Sequence, residues 1–109
     1  MGFPHFEVVH GPTNQIQYKL FDGDGKLVIA SDGFPSKDAC FKAIQGIKEN
    51  VRIGQRWELR TLEGKHFFTL KAPAHSVLAK GGPYATVEER EKVMTIVKTS
   101  MEAAVQDKT

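Results

Sequence analysis

A nucleophile, a general base or a metal ligand must come from a short set of side chains, and here they stand in spacings that assemble no known site. Cys40 is the one cysteine. A reactive thiol needs exposure and a lowered pKa, whereas Cys40 shares an apolar stripe with Ala39, Ala43 and Ile44 and is expected to pack as a small hydrophobe. His5, His10, His66 and His75 are scattered, and no helix carries two of them four residues apart, as a zinc pair would require. His66 falls on a core-facing row and is expected to be a hydrogen-bonded histidine at the core's edge. Asp22-Gly23-Asp24-Gly25 opens like a calcium loop but lacks the third acidic position and the closing glutamate, so a hairpin turn is expected. His75 and Lys80 remain as enzymatic candidates, with no nucleophile, base and oxyanion donor arranged around them. The expectation is a chain that is not an enzyme and holds no metal or cofactor.

Two groups of residues point to binding. Lys80-Gly81-Gly82-Pro83 precedes a helix starting near Thr86. Exposed N–H groups, the helix dipole and a lysine could hold an anion in such a loop, although the full phosphate-loop pattern is missing. Lys19, Phe21, Arg60, Phe67 and Lys71 fall on the solvent side of three strands, where aromatic faces among cations form a platform for stacking single-stranded bases. Glu7 and Glu58 share that side, which also fits a protein contact.

Fifteen Lys and Arg against thirteen Asp and Glu leave a net charge of +2, so charge alone does not imply a nucleic-acid partner. With 40% apolar and 26% charged residues, the 109-residue chain is expected to fold as one domain. A single cysteine excludes an intrachain disulfide and fits a reducing compartment. Met1-Gly2-Phe3-Pro4-His5 shows neither a basic segment nor an apolar run, and no stretch is long and apolar enough to span a bilayer. Phe6 stands where a myristoylation signal would need Ser or Thr. A cytoplasmic protein without a membrane partner is expected, as a monomer or weak homodimer.

The sequence also resembles itself at a spacing of fifty residues. Tyr18 meets Phe68, Leu20 meets Leu70, Leu27 meets Val77, Val28 meets Leu78, Phe34 meets Tyr84, Ser36 meets Thr86, Ile44 meets Met94 and Ile47 meets Val97. Phe6-Glu7-Val8-Val9-His10 and Trp57-Glu58-Leu59-Arg60-Thr61 follow at one residue more, with alternating apolar and polar residues. Ile16, Tyr18 and Leu20 then share one sheet face with His66, Phe68 and Leu70. His75 takes the place of Gly25, so either the turn changes or a non-glycine residue accepts a left-handed backbone. Ser36 and Thr86 read as helix caps, with Glu89 completing a capping box. The apolar stripes that follow are Ala39, Cys40, Ala43, Ile44, Ile47 and Val51, and then Val93, Met94, Val97, Met101, Ala104 and Val105. These patterns predict an α+β fold of two tandem β-β-β-α repeats, about 6–55 and 56–105. Six strands would form one mainly antiparallel sheet with both helices on one face.

Gly25 through Lys37, continued by Ala43-Ile44-Gln45-Gly46-Ile47-Lys48-Glu49-Asn50, resembles the repeat of the bacterial YegP-like family. The order carries the resemblance: hairpin glycine, apolar strand, aromatic, Ser-Lys helix start, then Ile-x-x-Ile-Lys-x-Asn. It implies repeats joined in one continuous sheet, the strand at about Arg56 to Thr61 crossing to the other repeat, and halves that depend on each other. It brings no activity and no catalytic residues. The second copy departs from the pattern at Ala74-His75 and Thr86-Val87, and Gln106-Asp107-Lys108-Thr109 offers no obvious final strand. The function expected is a small non-enzymatic binding or adaptor domain, with weak single-stranded nucleic-acid binding as the alternative.

Overall fold

The computed structural model describes residues 3–109, so Met1 and Gly2 of the N-terminal stretch lie outside it. The chain is α+β. Strands β1 (His5–His10), β2 (Ile16–Phe21) and β3 (Leu27–Ala30) precede helix α1 (Lys37–Asn50). Strands β4 (Trp57–Leu62), β5 (Lys65–Lys71) and β6 (Val77–Tyr84) precede helix α2 (Val87–Lys98), and β7 (Ala104–Asp107) ends the order. Thus β-β-β-α occurs twice, and one strand follows.

Two expectations about the sheet need correction. The ladders form two sheets, β3-β2-β1-β7 and β4-β5-β6, not one. β4, expected to cross between halves, pairs antiparallel with β5 instead. The strand that crosses is β7, in the tail whose sequence offers no obvious strand; it pairs parallel with β1, and Lys108 N–H donates to the Val8 carbonyl over 2.8 Å. Its geometry has a local cause. α2 stops at Lys98, and a 3-10 turn at Thr99–Glu102 buries Ser100 and Ala103. The Lys48 ammonium of α1 then grips the Ala103 carbonyl over 2.6 Å. Ala104 and Val105, expected on the second helix, therefore belong to a strand.

The apolar face is as the alternation requires. Tyr18, Leu20, Phe68 and Leu70 are buried, and one core cluster takes residues from both halves. α1 packs on β2, β5 and β6, and α2 on β5 and β6. Gly46 lets α1 close on β6, since a Cβ there would lie 2.8 Å from Leu78 Cδ2. Both caps form: Ser36 Oγ accepts from Ala39 N–H at 3.2 Å and Thr86 Oγ1 from Glu89 N–H at 3.1 Å.

Matching irregularities recur. Leu20 pairs with Ile29 and Phe21 with Leu27, leaving Val28 as the extra residue of a β-bulge. Leu70 pairs with Ala79 and Lys71 with Val77, leaving Leu78. The Leu78 carbonyl accepts from Tyr18 Oη over 2.5 Å, a buried bond that links the two sheets. At the β-turns, His75 adopts φ 68° as Gly25 adopts φ 82°, and their N–H groups donate to Ala72 and Asp22 carbonyls alike. The turn is kept and His75 carries the cost of the left-handed region.

Replacing Tyr18 with phenylalanine leaves a buried carbonyl without a partner and should lower unfolding free energy by about 1–3 kcal/mol in urea titrations. Burial raises the Tyr18 phenol above its ordinary value of 10.0, with nearby Cys40 and Asp32 adding to the shift. The unfolded chain therefore ionises first as pH climbs past 10, so stability is full below that pH and declines above it. Tyr18→Phe should lose less stability over that alkaline interval than the native chain. His75→Gly should raise stability by about 0.5–1 kcal/mol, because only glycine enters that turn without steric cost.

Candidate functional site

β3 and β6 each stand at a sheet edge, and where they meet a groove of about 710 Å³ opens. Val28, Ile29 and Ala30 line one side, and Lys80 to Tyr84 line the other. Arg60 of β4 and Phe67 of β5 face each other across their ladder and close its end with Leu62. Arg60 and Lys80 are the charged side chains among the lining residues, so the groove presents cations to whatever enters it. Lys80 also meets Asp32 at 2.8 Å, but both side chains are largely exposed, and such a pair gives way to a competing anion at little cost.

Two ring pairs correspond between the halves, and the second lines the groove. Tyr18 stacks with Phe34 at 6.3 Å, and Phe68 with Tyr84 at 6.2 Å. The hydroxyl sits on the strand residue in the first pair and on the residue before the helix in the second. Tyr18 therefore donates inward to Leu78, whereas Tyr84 presents its phenol at the groove. Burial raises the Tyr84 pKa, while a hydrogen bond with the Gly82 backbone works the other way. At neutral pH it is a protonated donor.

The expected anion loop takes another form. Lys80, Gly81 and Gly82 lie within β6, so a strand replaces the loop. A side chain on Gly81 would overlap the Phe68 ring and the Tyr84 hydroxyl, and Gly82 adopts φ 118° against the His66 carbonyl and Phe67. The missing side chains make room for these aromatic rings. Thr86 is occupied as the cap of α2, and Ala85 N–H donates to the Glu89 carboxylate over 3.3 Å.

The expected sheet-face platform is divided. Lys19 and Phe21 belong to the sheet of β2, and Arg60, Phe67 and Lys71 to the sheet of β4 and β5. Phe21 stacks on His5 at 5.2 Å. Lys71 donates to the Glu58 carboxylate, and that bond holds the exposed Glu58 below the usual carboxylate range. The groove thus unites Arg60 and Phe67 from one candidate set with Lys80, Gly81 and Gly82 from the other. Leu62, Tyr84 and the β3 residues were not anticipated, although the Phe34–Tyr84 correspondence had marked the aromatic position.

Other candidates resolve structurally. Cys40 is fully buried, and burial pushes its thiol up to about 11, away from thiolate chemistry. The Asp22 carboxylate accepts from Asp24 and Lys26 N–H, both at 2.9 Å, which makes an Asx turn. His66 Nδ1 lies 3.0 Å from Thr61 Oγ1. Among the described residues, no three His, Cys, Asp or Glu side chains cluster as a metal site would need, and no helix is long and apolar enough to cross a membrane.

The Escherichia coli K12 protein YegP, a UPF0339 protein, is 31% identical over 96 residues, spanning 87% of each chain. This chain belongs to the UPF0339 (YegP) family. A UPF0339 protein from the ptx operon 5′ region of Stutzerimonas stutzeri is 28% identical over 85% of each chain. The solution NMR structure of E. coli yegP, a protein of unknown function, superimposes with TM-score 0.89, covering all of this chain and 96% of that one. UPF0339 protein SO3888 of Shewanella oneidensis, 20% identical, shares the fold with TM-score 0.87. No protein-family model matches the chain. The names of these UPF0339 relatives state no biochemical activity.

Gly81→Ala tests the packing role of the glycine pair. Forcing a methyl against Phe68 and Tyr84 should cost about 1–3 kcal/mol in chemical denaturation, and added phosphate should not change that cost.

Proposed function

We propose that this chain is a non-enzymatic binding domain whose groove takes an extended, acidic segment of another protein. The observation that carries this is the pairing of shape with charge: a groove between two sheet edges, lined by Arg60 and Lys80. An extended peptide lies along such a groove, and its alternate side chains meet the pockets of the lining. Phe67, Leu62 and Tyr84 supply the apolar and phenolic surface for those side chains. Tyr84, kept protonated, serves as a donor to a ligand carboxylate or carbonyl.

A second reading, weak single-stranded nucleic-acid binding, draws on Arg60 beside Phe67, where a base could stack. It ranks below the first because Lys19 and Phe21 lie on the other sheet and Lys71 is engaged by Glu58. The binding domain is assigned to the cytoplasm, in keeping with a single buried thiol. Residues of about 6–55 and 56–105 are assigned as two copies of one unit in a single domain. Matching bulges at Val28 and Leu78 and matching turns at Gly25 and His75 support that assignment.

Fluorescence anisotropy with a labelled peptide of alternating glutamate and valine should show saturable binding that weakens with salt. Arg60→Ala and Lys80→Ala should each weaken it by roughly two- to fivefold. Absence of binding at low salt, or indifference to both substitutions, would sink the proposal. Tighter binding of a labelled oligothymidylate, with the same dependence on Arg60, would install the second reading.

A further inference from the structure

We infer that a second copy of this chain adds to the free edge of β4, joining two three-stranded sheets into one six-stranded antiparallel sheet about a two-fold axis at Leu59. The edge strands differ in how they are protected. β3 and β7 are four residues long. β6 contains Pro83, which has no N–H, and its Leu78 carbonyl is taken by Tyr18. In the other sheet, β1 is covered by β7. β4 has six residues without proline, glycine or register shift, and Glu58 to Leu62 are all exposed. Leu59 is 49% exposed and Leu62 55%.

The direction of the β4 backbone follows from its hairpin. Glu63 and Gly64, with φ 51° and 76°, form a two-residue turn, which makes Leu62 and Lys65 a hydrogen-bonded pair. Alternation then turns the N–H and C=O of Arg60 and Glu58 toward β5, and those of Leu59 and Thr61 outward. An added antiparallel strand must centre its bonded pairs on outward residues. A two-fold at Leu59 places Leu59 opposite the partner's Leu59, and Trp57 opposite the partner's Thr61. It also places Glu58 opposite the partner's Arg60 and Arg60 opposite the partner's Glu58, two opposite-charge pairs. Centring on Glu58 or Arg60 would oppose like charges and use inward backbone groups. Centring on Thr61 would set Arg60 against the partner's Leu62, with no charge compensation.

Charges on an edge strand ordinarily discourage pairing. Here opposite signs two residues apart on one face make the segment complementary to itself, and a centre at Leu59 sets both charges of β4 against their opposites while pairing the greatest length of the strand. Because the axis stands normal to the sheet, Arg60, Leu62 and Phe67 of both copies share one face.

Sedimentation velocity of the full chain over a concentration series tests this independently of any peptide ligand. The native chain should pass from monomer to dimer as concentration rises. Leu59→Lys, which sets like charges on the axis, should remain monomeric with an unchanged circular dichroism spectrum. Arg60→Glu should raise the dimer dissociation constant by about tenfold or more, and combining it with Glu58→Arg should restore association. A native chain that stays monomeric at its highest soluble concentration overturns the inference. So does a Leu59→Lys chain that dimerises like its parent, or a double reversal no better than Arg60→Glu alone.

Discussion

Two sheets share one core, and the buried hydroxyl of Tyr18 fastens one to the other. Its acceptor exists because β6 carries an extra residue, Leu78, opposite β5. A bulge takes a backbone carbonyl out of the ladder, and a buried carbonyl without a partner costs about 1–3 kcal/mol. Tyr18 removes that cost, and the Leu78 side chain meets α1 at Gly46. One irregular residue therefore sets the spacing of both sheets and the helix above them. The groove between β3 and β6 is the outward consequence of that joint.

The two halves use the same ring pair to different ends. Tyr18 with Phe34 puts a hydroxyl into the interior, and Phe68 with Tyr84 puts one at the surface of the groove. Moving one oxygen between ring positions turns an interior bond into a hydroxyl beside the groove. The glycines serve that difference, since Gly81 makes room for Phe68 and Tyr84 to stack with an interplanar angle of 3°. Charge divides in a similar way. Glu58 neutralises Lys71 on the open face, while Arg60 and Lys80 give the groove a single sign.

Strand edges are the second organising constraint. A row of unpaired backbone groups must meet water, another strand or a shield. The tail of the chain covers β1, brevity limits β3, and proline limits β6. Among the described strands, β4 is the edge that keeps a full row of backbone groups open.

Local physics was legible in the residues alone. Alternation gave the faces of β1, β2 and β5, though not of β4, which is exposed from Glu58 to Leu62; Ser36 and Thr86 marked both helix starts, and His75 in the place of Gly25 marked the turn whose left-handed backbone the structure decided. Each of these depends on neighbours within a few positions. Which strands pair depends on groups far apart in the chain, and there the sequence was silent: two sheets in place of one, β4 kept in its own half, and a final strand formed by Ala104–Asp107. That strand has no strong pattern of its own, and it exists because β1 offers an edge and Lys48 holds the Ala103 carbonyl. The same holds for the site, since Arg60 and Phe67 come to Lys80 through the pairing of β4, β5 and β6, and Val28 to Ala30 join them only where β3 meets β6.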